Sequence, residues 1–273
     1  MMICGACERE LPEGSYSEEQ RGLRQSSRRC EECIGAGMQL VLMRKGRARS
    51  EEDECPICNL LLPLDWEQSI FKACFLKLVC NGCFLAGRKR GMNDCPFCRT
   101  PTPDESQGLA LIRKRVDAGD PVAIYHLGTK FCFGELGLEK DTTRAVELWE
   151  RAAELGVKDA HYSLGFLYDE GKDVERDTVK AIRHYEAAAV KGDVHSRNYL
   201  GNEEHRAGNC DIALQHWMIA AMMGNEKSLQ NVKTGFMKGH AIKADYAAAL
   251  RGYQSAMEEM RSPDRDEAKA SWF

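Results

Sequence analysis

Apolar and polar positions fall into two regimes along the chain. From residue 103 to about residue 262, apolar residues recur three and four apart, the spacing of amphipathic helices. Before residue 100 no such run is sustained, and short apolar stretches are interrupted by cysteine pairs, glycines and charges. The helical regime predicts a leading helix over about 104–118, paired helices over 119 to about 260, and a stop near Arg261 because Ser262-Pro263 breaks the pattern. Residues 263–273 are expected to form a flexible tail, with Trp272-Phe273 as its one group suited to docking.

The paired helices repeat. Ala123…Leu127-Gly128 recurs as Ala160…Leu164-Gly165 and again as Ser196…Leu200-Gly201. The second half of each unit matches too, with Trp149, Tyr185, Trp217 and Tyr253 at one position. Small residues on the first helix allow close backbone approach, and the aromatic fills the space between layers. A glycine turn (Gly134, Gly137, Gly171) then leads to an Asp (Asp141, Asp177) placed to cap the second helix. One unit cannot bury its own apolar face, so the units must stack into an α-solenoid.

This pattern resembles the Sel1-like repeat, a relative of the tetratricopeptide repeat. The unit Ala160…Leu164-Gly165…Tyr168…Gly171…Asp177…Lys180-Ala181…Tyr185…Ala188-Ala189…Gly192 follows that family's form nearly position for position. The resemblance implies about four repeats plus a capping helix over 103–262, and a surface that holds a protein substrate or adaptor without chemistry of its own. Trp149, Tyr185 and Trp217 are expected to be structural, with partner binding on the more variable inner helix faces.

Cysteine changes the picture of the first hundred residues. Eleven of the 13 cysteines lie there, mostly as pairs two residues apart, and all seven histidines lie after residue 125. So small an apolar core needs a staple, and without an export signal that staple is metal rather than disulfide. Cys4, Cys7, Cys30 and Cys33 supply two knuckles for one closed zinc site, defining a Cys4 domain over 1–34. The stretch Tyr16-Ser17-Glu18-Glu19-Gln20 between them is similar to a small zinc domain of adaptor proteins. Residues 35–54 read as a helical and charged linker, solvated because Glu51 to Glu54 offset the basic residues before them.

Cys55-Pro-Ile-Cys58, Cys74, Cys80-Asn-Gly-Cys83 and Cys95-Pro-Phe-Cys98-Arg99 resemble a RING zinc finger over 55–100. The resemblance implies cross-braced metal: Cys55, Cys58, Cys80 and Cys83 at one zinc, and Cys74, Cys95 and Cys98 at a second. It also implies that Ile57, Pro96 and Arg99 contact a ubiquitin-conjugating enzyme. The chain departs from the family at one ligand, since Phe75, Leu76 and Lys77 stand where a second Cys or His belongs. Asp65 or Asp94 could complete that site, as could water, or Phe75 could pack inside it. The expectation is two firm zinc sites and a third that is weak or absent.

Charge and hydropathy narrow the rest. The 38 basic and 42 acidic residues leave a net charge of −4, which disfavours a nucleic-acid binder. No run approaches the 18 apolar residues of a membrane span, so no membrane partner is expected. The N-terminus has no apolar stretch followed by a cleavage site, so the expected location is intracellular, cytoplasmic or nuclear. Cys132, Cys210 and the histidines of the repeats are read as ordinary helix-face or core residues. The fold class is therefore small zinc-stapled α+β modules followed by an all-α solenoid. Two functions fit it: a RING-type ubiquitin ligase whose repeats recruit substrate, or a non-catalytic interaction scaffold with a degenerate RING.

Overall fold

The computed structural model describes residues 1–101 and 103–271, so Trp272-Phe273 lies outside the described residues. Strands β1 (Met2–Ile3) and β2 (Glu10–Leu11) form an antiparallel pair, followed by short helices α1 (Glu18–Gly22), α2 (Glu31–Gly35) and α3 (Val41–Arg44). The second cysteine region contributes an antiparallel hairpin, β3 (Ser69–Lys72) and β4 (Lys77–Cys80), with Phe71 opposite Leu78, and then α4 (Asn81–Lys89).

The remainder is helical. A leading helix, α5 (Glu105–Asp117), begins at a capping box in which the Asp104 side chain accepts from the Gln107 backbone and Gln107 reaches back to Asp104. Four helix pairs follow: α6 (Pro121–Phe133) with α7 (Thr142–Glu154), α8 (Lys158–Glu170) with α9 (Thr178–Val190), α10 (Val194–Arg206) with α11 (Cys210–Met222), and α12 (Glu226–Met237) with α13 (Lys243–Glu259). Asp141 and Asp177 cap α7 and α9, each accepting at 2.9 Å from the backbone N–H three residues on. Gly134 and Gly171 end α6 and α8 in the left-handed region, at φ +67° and +63°.

The stacking rule is visible in atoms. A Cβ at Gly128 would lie 2.8 Å from the Trp149 ring, one at Gly165 2.9 Å from Tyr185, and one at Gly201 2.5 Å from Trp217. Each first-helix glycine is thus the seat of its partner's aromatic, and those three rings are buried. The fourth pair has Lys233 at the corresponding helix position, its Tyr253 is only half-buried, and α13 packs on α11 as well as on α12.

Two expectations change. The segment 35–54 is not a solvated linker. Leu40 and Met43 pack with Val194, Ile219, Ala220 and Met223, while Leu42 packs with Ala181, Tyr185, Ala189 and Leu200. The chain then runs along the turns between repeats: a Cβ on Gly46 would meet the Ala189 carbonyl oxygen at 1.9 Å, and one on Gly192 the Ala48 oxygen at 2.4 Å. The tail is not loose either. Pro263 ends the repeat pattern but opens a further helix, α14 (Pro263–Ser271), which packs on α4. Gly82 makes that contact possible, since a Cβ there would lie 2.7 Å from the Arg265 backbone nitrogen.

A candidate metal centre held on the repeats

Each cysteine pair is set in a tight backbone knuckle. The Glu8 and Asn59 amides donate at 2.8 Å to the carbonyls of Cys4 and Cys55, and the Arg99 amide donates at 2.9 Å to that of Cys95. Glu8, Asn59 and Arg99 themselves sit at φ +60°, +54° and +55°, the residue that turns each knuckle back. Cys30 and Cys80 instead stand just before α2 and α4, so their pairs open helices.

These knuckles gather the thiols into three groups whose sulfurs lie within 4.8 Å of one another: Cys4, Cys7, Cys30 and Cys33; Cys55, Cys58, Cys80 and Cys83; and Cys74, Cys95 and Cys98. In the first group Cys4 Sγ accepts from the backbone N–H of Ala6 at 3.4 Å and of Cys30 at 3.3 Å. Arg9 Nε donates to Cys7 Sγ at 3.3 Å. Burial would push the Cys7 thiol up, but the hydrogen bonds from Arg9 outweigh it and bring it down to about 6. The Tyr16-to-Gln20 stretch supports this group: the Tyr16 hydroxyl donates to the Met2 carbonyl at 2.8 Å, and Gln20 Oε1 accepts from the Arg29 backbone at 2.6 Å.

In the second group the Cys80 backbone donates to Cys55 Sγ and that of Cys83 to Cys80 Sγ, at 3.5 and 3.4 Å. The hydrogen bond between Cys55 and Cys80 holds Cys55 down to about 4 and pushes Cys80 up, as for two thiols sharing one proton. Four thiols with N–H donors aimed at sulfur fit a tetrahedral thiolate zinc site, because those donors offset the charge the thiolates carry.

The third group differs. Asp65 spends its carboxylate on the Glu67 backbone and the Gln68 amide, both at 3.1 Å, and Asp94 is exposed outside the group. Phe75 lies tilted against Phe97 with ring centroids 4.5 Å apart and packs toward Val79 and Leu62. Leu76 turns the other way, into the core of the first repeat. The Thr100 hydroxyl lies 2.8 Å from Cys98 Sγ, and this hydrogen bond brings Cys98 down to about 7. Ile57, Pro96 and Arg99 are all exposed.

Residues that the pattern of the chain did not single out fasten these groups to the repeats. Arg197, wholly buried on α10, donates to the carbonyls of Leu42, Lys45 (2.6 Å) and Gly46 (3.3 Å), and to Ala189 of its own solenoid at 3.0 Å. Lys158 Nζ reaches Asp53 at 2.5 Å and Ser50 at 3.2 Å. Buried Glu204 accepts from Arg24 and, at 3.0 Å, from Ser27, in the loop between the first two cysteine pairs. On α14, Arg265 donates to the Leu61 carbonyl at 2.6 Å, to Leu60 at 3.2 Å and to Cys58 Sγ at 3.4 Å, so the C-terminal helix touches a candidate ligand directly. The nearest warning in the sequence is at Arg197: the matching positions of the first two repeats hold Ile124 and His161.

Comparison with known proteins bears on the repeats. The Sel1 repeat family matches at residues 121–157 and 158–193. The mouse protein sel-1 homolog 2 is 28% identical over 122 residues, 43% of this chain and 17% of that protein. The rat DAP3-binding cell death enhancer 1 is 31% identical over 121 residues, 43% of this chain and 23% of the relative. The chain therefore spans only about a sixth to a quarter of the length of these curated relatives. The crystal structure of a Sel1 repeat protein from Oxalobacter formigenes superposes with a TM-score of 0.51 at 25% identity, over 65% of this chain and 71% of that one.

Proposed function

We propose that the protein is a zinc-stapled protein-interaction scaffold. Its base is the helical solenoid, in which residues 121–193 are Sel1 repeats, and no helix among the described residues is long and apolar enough to cross a membrane. The observation that carries the reading is the buried polar fastening of the cysteine-rich half to the repeats through Arg197, Lys158, Glu204 and Arg265. A rigid platform of this kind presents surfaces in fixed relation to one another, which is what a scaffold needs. The rat relative's name records a protein partner for that protein, in keeping with a binding role for such repeats.

Zinc is the metal the donor set favours: two complete groups of four thiols and one group of three. Purified protein should carry two zinc ions per chain that resist a mild chelator, with any third lost first. Structural zinc contributes roughly 10–16 kcal/mol in small domains, so a strong chelator should unfold residues 1–100 while the repeats remain helical by circular dichroism. Protein that keeps its fold with no zinc at all would end the metal reading.

A second reading is a RING-type ubiquitin ligase, supported by the exposure of Ile57, Pro96 and Arg99 around the second and third thiol groups. In that role the protein would hold a charged conjugating enzyme in a reactive pose without forming a covalent intermediate, so its contribution would be orientation. Autoubiquitination with a panel of conjugating enzymes separates the two. No transfer by zinc-loaded protein supports the scaffold; transfer that Arg99→Ala abolishes, with fold and zinc content unchanged, replaces the scaffold by the ligase.

A further inference from the structure

Between α10, α11 and α12 lies a pocket of about 260 Å³, and no residue of the cysteine-rich half lines it. Its floor is the Trp217 indole with Leu214 beside it. The Trp217 Nε1–H donates to Asn202 Oδ1 at 3.0 Å, and Asn231 Nδ2 donates to the same oxygen at 3.2 Å. Both donors fix the Asn202 side chain with its oxygen toward them, which leaves its NH2 group as the donor end. His205 tilts against the indole at a centroid distance of 5.4 Å.

The pocket wall carries Arg206, Lys238, His205 and His240 and no carboxylate, on a protein whose net charge is negative. Arg206 is paired with Glu203 at the rim. Lys238 forms no ion pair among the described residues. One uncompensated cation, amide donors and an apolar floor therefore face one small volume.

We propose that this pocket binds an acidic peptide segment of a partner protein, seating one carboxylate side chain against Lys238 and Asn202 and an adjacent apolar side chain on Trp217. The size supports side chains over a cofactor, since sites for whole small molecules run from about 300 to 1,000 Å³. The charge supports a carboxylate over a phosphate: with Arg206 already paired, a single positive charge remains, enough for a monoanion and too little for a dianion. The pocket draws on the first helices α10 and α12 as well as on α11, away from the turns that the segment 38–54 covers. The proposal rests on the scaffold reading, to which it adds the chemistry of the partner.

The test probes full-length, zinc-loaded protein with an immobilised octapeptide library that samples all twenty residues, together with phosphoserine and phosphotyrosine, at each position. The expected result is selection of Asp or Glu next to Leu, Ile or Phe. Binding of a selected peptide, followed by fluorescence polarisation, should weaken at least tenfold in Lys238→Glu and weaken further as salt is raised. Lys233→Glu, an exposed change on α12 outside the pocket lining, should bind like the parent. Selection of basic, neutral or phosphorylated peptides, equal binding by Lys238→Glu, or no selection at all would each overturn the proposal. Any of those results leaves the scaffold reading to be decided by the ubiquitin-transfer assay.

Discussion

Replacing Arg197 by Met tests whether the segment 38–54 is truly bolted to the repeats. Three of the four carbonyls that Arg197 serves, those of Leu42, Lys45 and Gly46, belong to that segment. Hydrogen bonds from a charged donor are worth about 1.5–3 kcal/mol each. The gain is offset by burial of the guanidinium, whose cost shows in its acidity: burial lowers Arg197 from its ordinary value to about 10. Methionine recovers that desolvation and keeps much of the volume, but leaves the carbonyls without donors. A net loss of about 3 kcal/mol follows, and each 1.4 kcal/mol is tenfold in population, so the undocked form should rise roughly a hundredfold. The segment carries its own reporters, because Arg44, Lys45 and Arg47 are trypsin sites inside it. When opening and closing are fast relative to cleavage, the cutting rate follows the open population. Mass spectrometry of limited digests should therefore show cleavage at 44–47 accelerated on the order of a hundredfold, while cleavage after Lys180 and Lys191 in the repeats stays at the parental rate. Gly46→Ala should act in the same direction without touching Arg197, since its methyl would meet the Ala189 oxygen at 1.9 Å and its backbone sits at φ +60°. Unchanged cleavage in both variants would refute the docking.

Three further outcomes are expected. Trp149→Ala empties the seat over Gly128 and should cost about 3–5 kcal/mol in a denaturant titration; parental stability with lost partner binding would make Trp149 a contact residue. Gly201→Ala, whose methyl would lie 2.5 Å from the Trp217 ring, should lower the melting temperature measurably, whereas Gly14→Ala, which meets nothing within 4 Å, should not. His126 lies under Phe71 at a centroid distance of 4.1 Å, and burial together with Lys130, with Asp120 opposing, lowers it to about 3. The unfolded chain then binds the proton first, so its contribution to stability is full above about 6.5 and falls as pH drops toward 3; His161, His184 and His216, also lowered by burial, share that window, so His126→Phe should lessen the slope there, and an unchanged slope would contradict it.

The parts of the fold legible in the sequence are those whose physics is local or repeated. The Leu-Gly step and its partner aromatic recur in each of the first three units because each glycine has to admit a ring, so one observation is made three times over. The Asp caps at 141 and 177 and the capping box at Asp104 are decided within four residues. Cysteine spacing likewise announces knuckles, because each is closed by hydrogen bonds between near neighbours. Docking of residues 35–54 and of the tail has no such periodic signature. It depends on a few apolar side chains, Leu40, Leu42 and Met43, and on single buried charges reaching across more than a hundred residues, as from Arg197 to Lys45 and from Arg265 to Leu61. The tail in particular has low apolar content, and its helix is held through Arg265, Ala268 and close backbone approach at Gly82 rather than by an apolar stripe.

That division also bears on how the two halves depend on each other. Arg265 joins Cys58 of the second thiol group to the carbonyls of Leu60, Leu61 and Met260, so candidate ligand, cysteine-region loop and last helix meet at one guanidinium. The β3–β4 hairpin makes a second link at the other end of the solenoid, where Phe71 and Leu76 enter the core formed by Ile112, Ile124 and Leu127. A body anchored at both ends of the repeats and along their turns cannot swing freely on a linker. Its exposed knuckle residues Ile57, Pro96 and Arg99 therefore keep one orientation relative to the pocket between α10 and α12. If both surfaces bind protein, the distance between their ligands is set by the fold rather than by chain flexibility, and the gain from binding two ligands together depends on whether their own geometry matches that fixed span.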